Sequence, residues 1–166
     1  EARGLPGVTA AGATNSLPVR PSGMNGGSFW LESQPREEGQ LPPIAMFKAI
    51  SEGYLETIGI PLLEGRPMTT SDHSGELPVV WVNETFARAF MDGDAMGELV
   101  SFAGDGDWGE IVGVVGDARE LELREDIRPM AYLPMVAGEW ERFSLSQMSI
   151  VVRTAGDPLT VLPAVR

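Results

Sequence analysis

The stretch that decides the fold is LPVVWVNETFARAFMDGDAMGELVSFAGDGDWGEIVGVVGD, residues 77–117. Residues 79–82 are β-branched or aromatic and form an apolar run of strand length. Asn83 follows at a helix N-cap position, where its side-chain oxygen can accept a hydrogen bond from an otherwise unpaired backbone N–H. Phe86 and Phe90 are four residues apart, so they share one face of the predicted helix.

The second half of this stretch predicts a helix end and two more strands. Gly93 can adopt the left-handed conformation that ends a helix. Residues 99–102 form a short apolar run, 105–107 form a polar turn, and 110–115 are mostly β-branched. A strand, a helix and two further strands in close succession indicate an α+β domain.

The composition limits the classes of function. The chain has 166 residues, no cysteine and a formal net charge of −12 at pH 7. This acidity argues against nucleic acid and anionic membrane surfaces as partners, since both attract lysine and arginine. Without cysteine there is no disulfide, no thiol catalysis and no thiolate metal site. The sequence shows no apolar run of about 18 residues and no signal-peptide pattern, so neither a spanning segment nor a leader is predicted.

The residues before this stretch predict three strands and a short helix. The strands are expected at 8–13, 28–32 and 46–50, with Phe29 and Leu31 on one face of the second. Ser51 can cap a helix over 52–58, which Gly59 ends. The remaining segments are predicted to be loops or turns: 15–27, 34–43, 62–66 and 69–76.

The residues after the central stretch predict strands at 128–134 and 148–154. A charged segment, 118–128, could hold a short helix, and 137–143 is a predicted loop. Asp157 followed by Pro158 is a strong helix-start signal, and this helix is expected to reach residue 163. Together with a helix tail at 1–7, it predicts a domain taken from a longer polypeptide, with both ends close together.

Seven phrases of the sequence together resemble one protein family. They are LPGV at 5–8, SEGYLETIGIPLLEGR at 51–66, VWVNETFARAF at 80–90, GE at 97–98, IVGVVGD at 111–117, RPMAYLP at 128–134 and VVRT at 151–154. Their order and spacing resemble the extracytoplasmic core domain of MacB-type (FtsX-like) ABC transporter permeases. The resemblance covers nearly the whole chain.

The resemblance implies a two-lobed α+β periplasmic core domain. Residues 1–60 and 136–166 would form a discontinuous porter-like α/β subdomain, and residues 61–135 an inserted Sabre-like α+β subdomain. The domain would lie between two transmembrane helices, on the extracytoplasmic face of the bacterial inner (cell) membrane.

The resemblance also implies a function and partners. The domain would couple cytoplasmic ATP hydrolysis to periplasmic conformational change (mechanotransmission) in efflux or export, with no enzymatic activity of its own. Its expected partners are the permease's own transmembrane helices, a cytoplasmic ABC ATPase, a second permease subunit and a periplasmic adaptor or other extracytoplasmic protein.

Two groups of polar residues invite a chemical interpretation. Asp72, His73 and Ser74 are the residue types of a hydrolytic triad, but consecutive residues cannot normally reach triad geometry, and an exposed loop histidine is the simpler interpretation. Five carboxylates could hold calcium through oxygen ligands, although their spacing is not that of an EF-hand and turn chemistry also explains them. They are Asp92, Asp94, Asp105, Asp107 and Glu110.

Glycines and methionines give two weaker signals. Gly113 and Gly116, with Asp117, faintly resemble a phosphate loop, but glycines that let a strand pass close to its neighbour are the ordinary explanation. The methionines, including Met130 and Met135, could suggest copper(I), although gap-filling in a core is favoured when histidine and cysteine are lacking.

The four tryptophans are the candidate contact residues. Trp81 lies in a predicted strand and is expected in the core, whereas Trp108 and Trp140 fall in predicted loops, where aromatic residues often mark contact surfaces. Trp30 is expected opposite Phe29 and Leu31 on its strand.

No catalytic, cofactor-binding or metal-binding residue is predicted. Two other classes of function stay open. A stand-alone extracytoplasmic solute- or peptide-binding module would be favoured by a deep apolar pocket between the lobes. A hydrolase would be favoured by polar residues that converge in a cleft.

Overall fold

The structure is a computed structural model that describes residues 4–18, 25–34, 39–74, 78–102, 108–119, 126–135, 148–161 and 163. Within these residues, ten strands form one mixed sheet, and the α-helices are α1 (Tyr54–Ile58) and α2 (Glu84–Met91). The strands are β1 (Val8–Thr14), β2 (Asn25–Ser28), β3 (Trp30–Leu31), β4 (Ile44–Ile50), β5 (Leu62–Gly65), β6 (Val79–Asn83), β7 (Leu99–Ser101), β8 (Gly109–Val115), β9 (Met130–Pro134) and β10 (Ser149–Thr154). The predicted α+β class is confirmed. No helix in the described ranges is long and apolar enough to cross a membrane.

The strand order is β10-β1-β4-β9-β6-β8-β7-β3, with β2 paired to β4 and β5 paired to β8. The β4–β9 and β6–β8 pairs are parallel, and the other pairs are antiparallel. Val8 lies opposite Thr154, so described residues near the two ends of the chain are neighbours. β9 pairs with β4 on one side and β6 on the other, which joins strands from 1–60 and 61–135 in one sheet. The division into two subdomains stays a prediction.

The sheet buries side chains on both faces, because alternate residues of each strand point to opposite sides. We call the side covered by α2 the α2 face; its buried cluster includes Phe29, Phe47, Val80, Val82 and Phe86. We call the opposite side the α1 face; its cluster includes Ile50, Tyr54, Met68, Trp81 and Tyr132. The alternation along 79–82 therefore divides the central strand between the two clusters.

Helix α2 begins as the sequence predicts. The Asn83 side-chain oxygen accepts a hydrogen bond from the Phe86 N–H at 2.9 Å. The same oxygen accepts from the Met130 N–H at 2.9 Å, and the Asn83 amide donates to the Arg128 carbonyl at 3.0 Å. The buried Asn83 therefore fastens the start of α2 to the start of β9, which the sequence did not predict.

Both helices differ from the prediction at one end. Helix α2 ends at Met91, and Gly93 takes the expected left-handed conformation (φ 94), but Asp92 already adopts it one residue earlier (φ 51). Helix α1 begins after Gly53, and Ser51 does not cap it. The Ser51 hydroxyl instead accepts a hydrogen bond from the Ala13 N–H at 2.8 Å, because strand β1 passes beside the end of β4.

Several predicted loops contain regular structure. Strand β2 falls partly within 15–27, and β5 falls within 62–66, since both pair with strands distant in sequence. Residues Thr70–His73 form a 3₁₀ turn, and the helix expected from Asp157 is limited in the described residues to the 3₁₀ turn Pro158–Thr160. The predicted loop 137–143 and turn 105–107 lie outside the described residues, as does most of 118–128.

Candidate functional site

A cavity of about 480 Å³ opens on the α1 face. One wall is formed by the end of β4 and by α1, and the other by the segment from Pro61 to Thr69, with Trp81 also contributing. The cavity lies where the predicted parts 1–60 and 61–135 meet. Its lining is mostly apolar, with two acidic residues, Glu52 and Glu56. We call this region the junction.

Polar contacts hold the 3₁₀ turn Thr70–His73 against the junction. The Thr70 hydroxyl donates to the Glu52 carboxylate at 2.6 Å. The Glu52 N–H donates to Nε2 of the His73 ring at 3.3 Å, and Nδ1 of the same ring lies 2.9 Å from the Met135 carbonyl oxygen. The half-buried His73 therefore bridges the turn, the beginning of α1 and the end of β9.

An ion pair secures the other side of the turn. Arg66 contacts Asp72 through two hydrogen bonds of 2.9 and 2.7 Å, and Asp72 also accepts from the N–H and hydroxyl of Thr69. The hydrogen bonds from Arg66 are the main cause that lowers the pKa of Asp72 to about 2. The same contact raises the pKa of Arg66.

Arg66 also connects this turn to the core. Its guanidinium carbon lies 5.6 Å from the centre of the Trp81 ring, and its backbone carbonyl accepts a hydrogen bond from the Trp81 indole N–H at 2.7 Å. Trp81 is fully buried, which confirms the expected core position. Its single polar atom is satisfied, as burial requires.

Glycines allow the strands around Trp81 to approach closely. A Cβ atom on Gly113 would lie 2.3 Å from Trp81 Cδ1, and one on Gly65 would lie 2.2 Å from the Val112 carbonyl oxygen. Gly116 is similarly close to Pro61. The strand-packing explanation for Gly113 and Gly116 is therefore confirmed.

The structure separates the partners of the proposed triad. The Asp72 carboxylate binds Arg66 and Thr69, whereas the His73 ring binds Met135 and Glu52. The Ser74 hydroxyl is oriented towards the Ser71 carbonyl at 3.5 Å. These contacts place the three side chains in separate interactions, so the geometry of a relay from Asp to His to Ser is not formed.

The other candidate residues have structural positions or lie outside the described residues. Asp92 ends α2, Glu110 is an exposed residue of β8, and Asp105 and Asp107 lie outside the described residues. Within those residues no group of three His, Asp or Glu side chains is arranged to hold a metal ion.

Asp117, the last residue of the faint phosphate-loop pattern, binds the first turn of helix α2. Its carboxylate accepts hydrogen bonds from the N–H and hydroxyl of Thr85 at 2.9 and 2.7 Å, and pairs with Arg88 at 3.2 Å. A carboxylate at a helix N-terminus is favourable because the helix dipole is positive there.

Methionines and tryptophans divide between core and surface. Met130 is buried in the α1-face cluster, and Met135 is partly buried at the end of β9. Trp30 is partly buried on β3, while its neighbours Phe29 and Leu31 are buried, as predicted. Trp108 is partly buried and its contact role stays a prediction. Trp140 lies outside the described residues.

Sequence reasoning missed Lys48, the only lysine in the chain. Its side chain is fully buried on β4, and its Nζ donates a hydrogen bond to the Tyr54 hydroxyl at 3.2 Å. The same Nζ lies 5.4 Å from the centre of the Tyr54 ring. A single lysine inside an apolar strand of an acidic chain was the available signal, since a buried charge needs partners.

Two solved structures share this architecture. The periplasmic region of MacB from Actinobacillus actinomycetemcomitans is similar with a TM-score of 0.63 at 16% sequence identity, and the match covers 98% of this chain and 66% of that chain. The extracellular domain of the ABC-type transporter YknZ from Gram-positive bacteria is similar with a TM-score of 0.60 at 17% identity, covering 98% and 73%. At these identities the likeness establishes the fold, which is that of extracytoplasmic transporter domains.

The family model for the MacB-like periplasmic core domain matches residues 2–163, and the chain belongs to this family. It is a periplasmic domain of the kind found in ABC transporter permeases, which confirms the resemblance read from the seven phrases. No curated protein matches the sequence. The chain spans 66% of the length of the MacB structure.

Proposed function

We propose that this chain is a non-catalytic extracytoplasmic domain that couples cytoplasmic ATP hydrolysis to conformational change outside the membrane, in efflux or export. Membership of the MacB-like periplasmic core domain family is the observation that carries the proposal. The neighbouring positions of β1 and β10 also support it, because a domain held between two membrane helices must enter and leave on the same side. The partners would be the flanking helices, a cytoplasmic ABC ATPase, a second permease subunit and an extracytoplasmic protein such as an adaptor.

In this proposal the two predicted parts, 1–60 with 136–166 and 61–135, change their contacts at the junction, while the β3–β7 and β4–β9 pairs and the α2-face cluster that join them stay intact. The junction lies at their predicted boundary, where polar contacts and a cavity border the buried apolar cluster of the α1 face. Polar contacts of this kind can be exchanged at small cost, whereas a packed core resists change. The proposed movement is therefore centred on the junction, with β9 remaining paired.

Cross-linking can test this movement, because this domain has no cysteine of its own and cysteines elsewhere in the complex can be replaced by serine beforehand. The pair Glu52→Cys and Thr70→Cys joins residues whose side chains are in contact across the junction. The pair Ala13→Cys and Ile150→Cys joins opposite residues of β1 and β10, within one predicted part, and serves as the control.

The measurement is ATP hydrolysis by the complete permease–ATPase complex in lipid nanodiscs, under oxidising and reducing conditions. We expect oxidation to slow hydrolysis several-fold in the junction pair, with recovery on reduction, and to leave the control pair unchanged. Full activity of the oxidised junction pair would contradict a movement at this boundary. The parent polypeptide should also carry apolar stretches of about 20 residues on each side of the domain.

The cavity gives specific support to a second candidate function, an extracytoplasmic module that binds a solute or peptide. Its volume of about 480 Å³ falls within the range of small-molecule sites, and its apolar lining with a few polar groups is typical of them. Met68→Trp should fill the cavity. A fragment screen by NMR in which no compound shifts the signals of Ile60, Met68 or Trp81 would argue against this candidate.

A further inference from the structure

His73 has two ring contacts that define its protonation state. The Met135 carbonyl oxygen can only accept, so Nδ1, at 2.9 Å, must carry the proton. The Glu52 backbone N–H can only donate, so Nε2, at 3.3 Å, must be unprotonated. The two partners together require the neutral ring with its hydrogen on Nδ1.

Protonation removes one of these two contacts. An imidazolium ring carries a hydrogen on both nitrogens, so Nε2–H would face the Glu52 N–H and the hydrogen bond between them would be lost. The contact to Met135 survives, because Nδ1 still donates. The ring would therefore stay attached to the end of β9 and release the beginning of α1.

We propose that His73 is a pH-sensitive fastener of the junction, which binds the Glu52 N–H before α1 when neutral and gives up that hydrogen bond when protonated, so that the hydrogen bond from Thr70 is left to hold the Thr70–His73 turn to Glu52. Histidine is suited to this role because imidazole changes charge between about pH 5 and pH 8. For its consequence in transport the idea rests on the proposed function, since release would ease movement at the junction. Both partners of the contact, His73 and Glu52, lie within this chain, so the contact can be tested without the permease.

Charged groups near the ring come from two described elements. The Glu52 carboxylate, from the turn between β4 and α1, accepts from Thr70, and Asp72, from the same 3₁₀ turn as His73, is held by Arg66 and Thr69. The Met135 carbonyl, directly after β9, is an uncharged contact of the ring. The hydrogen bond from Thr70 to the Glu52 carboxylate does not involve the ring and so opposes full separation of the turn.

The test uses NMR on the isotope-labelled chain, where the single histidine gives one set of ring signals. At alkaline pH the nitrogen shifts should show the Nδ1–H tautomer. On acidification the Glu52 amide signal should move with the same midpoint as the ring. The protection factor of the Glu52 amide, which corrects the measured exchange rate for the pH dependence of intrinsic exchange, should fall roughly threefold to tenfold, the range implied by loss of one neutral hydrogen bond.

Two variants distinguish the fastener from a general effect of acid. In His73→Gln, which does not titrate, the Glu52 amide should lose its pH response. In Thr70→Val, which removes a neighbouring contact without removing a titratable group, the shared midpoint should persist. If His73→Gln fails to fold, a fall in the protection factor of the Glu52 amide with the midpoint of the ring in the natural chain still decides the question.

An Nε2–H tautomer at alkaline pH, or a Glu52 amide that does not follow the ring, would overturn the proposal. Because these measurements use the isolated chain, they can fail while the cross-linking result on the permease complex stands. The reverse outcome is equally informative: a shared midpoint with no effect of cross-linking would leave a fastener in a domain that does not move at this boundary.

Discussion

The α2 face and the α1 face bury side chains of the same central strand, yet they are held together differently. On the α2 face Phe29, Phe86 and Phe90 form an aromatic cluster, with ring centres 4.8 to 5.1 Å apart. The α1 face also has a buried apolar cluster, but the segment that covers it is held by hydrogen bonds and an ion pair beside a cavity of about 480 Å³. Close apolar packing resists deformation, whereas polar fastenings can be exchanged. The difference indicates which side of the sheet is built as a rigid support and which can respond.

The largest effect is expected on the α2 face, from Phe86→Ala. Phe86 is fully buried between Phe29 and Phe90, and removing its ring should lower the free energy of unfolding by about 3–5 kcal/mol. Urea unfolding followed by circular dichroism measures this loss. Leu41→Ala is the control, because Leu41 is 88% exposed and its truncation should change stability by less than about 0.5 kcal/mol. A loss under about 1 kcal/mol for Phe86→Ala would mean that this face is not the rigid one.

Asn83→Ala should have the next largest effect, because this side chain links α2 to β9. The substitution removes the oxygen that accepts from the N–H groups of Phe86 and Met130, leaving buried donors unsatisfied. We expect a loss of about 2–3 kcal/mol in the same unfolding assay. Asn83→Ser keeps a side-chain oxygen that can accept from the Phe86 N–H and adds no buried charge, so it should be milder. Equal losses in the two variants would show that the acceptor is not the important group.

Gly113→Ala tests the close packing around Trp81 on the α1 face. The added methyl group would lie 2.3 Å from the Trp81 ring, and the strain should cost about 1–3 kcal/mol. The α1 face should absorb part of this strain by movement of Arg66 and its turn, which NMR shifts of the Trp81 indole would report. Gly156→Ala is a matched control, since its new methyl group would meet no atom within 4 Å. A neutral Gly113→Ala with an unchanged indole signal would remove the packing explanation for this glycine.

The smallest effect is expected from the ion pair, and it should depend on pH. Because the folded state lowers the pKa of Asp72 to about 2, the pair stabilises the fold above the unfolded-chain value of about 3.9. This stabilisation is lost as the pH falls from about 4 towards 2. Asp72→Asn should therefore be less stable than the natural chain by about 1 kcal/mol at neutral pH, and the difference should shrink in acid.

Unfolding free energies measured across this pH range test that expectation. Asp94→Asn, which changes an exposed aspartate near the end of α2, is the control and should track the natural chain at every pH. A constant difference between Asp72→Asn and the natural chain down to about pH 2 would contradict the assignment of acid sensitivity to this pair.

Much of the central stretch was predictable because its signals are local. The apolar run at 79–82, the Asn83 cap and the four-residue spacing of Phe86 and Phe90 each depend on residues that lie close in sequence, and all three are confirmed. The fold class and family followed from these and the other phrases. The expected structural role of Gly113 was also confirmed, although its partner, the Trp81 ring, was not foreseen.

The predictions that were wrong concern residues whose partners are distant in sequence. β5 was predicted as a turn because its four residues have no strand period, and it forms a strand by pairing with β8. Ser51 was expected to cap α1, but β1 brings the Ala13 N–H to its hydroxyl instead. The junction was missed for the same reason, since its parts come from β4, α1, the 66–74 segment and the end of β9. A histidine read as an exposed loop residue is half-buried there.

The sequence by itself determined that this chain is an α+β extracytoplasmic core domain with a hydrophobic central strand and a capped helix, because periodicity, capping and family phrases are properties of neighbouring residues. Only the tertiary structure decided that the two faces of that strand differ, that Lys48 is buried, and that His73 bridges α1 and β9. Those contacts join residues that are far apart in the chain, and their burial and hydrogen bonds exist only after the sheet has brought them together.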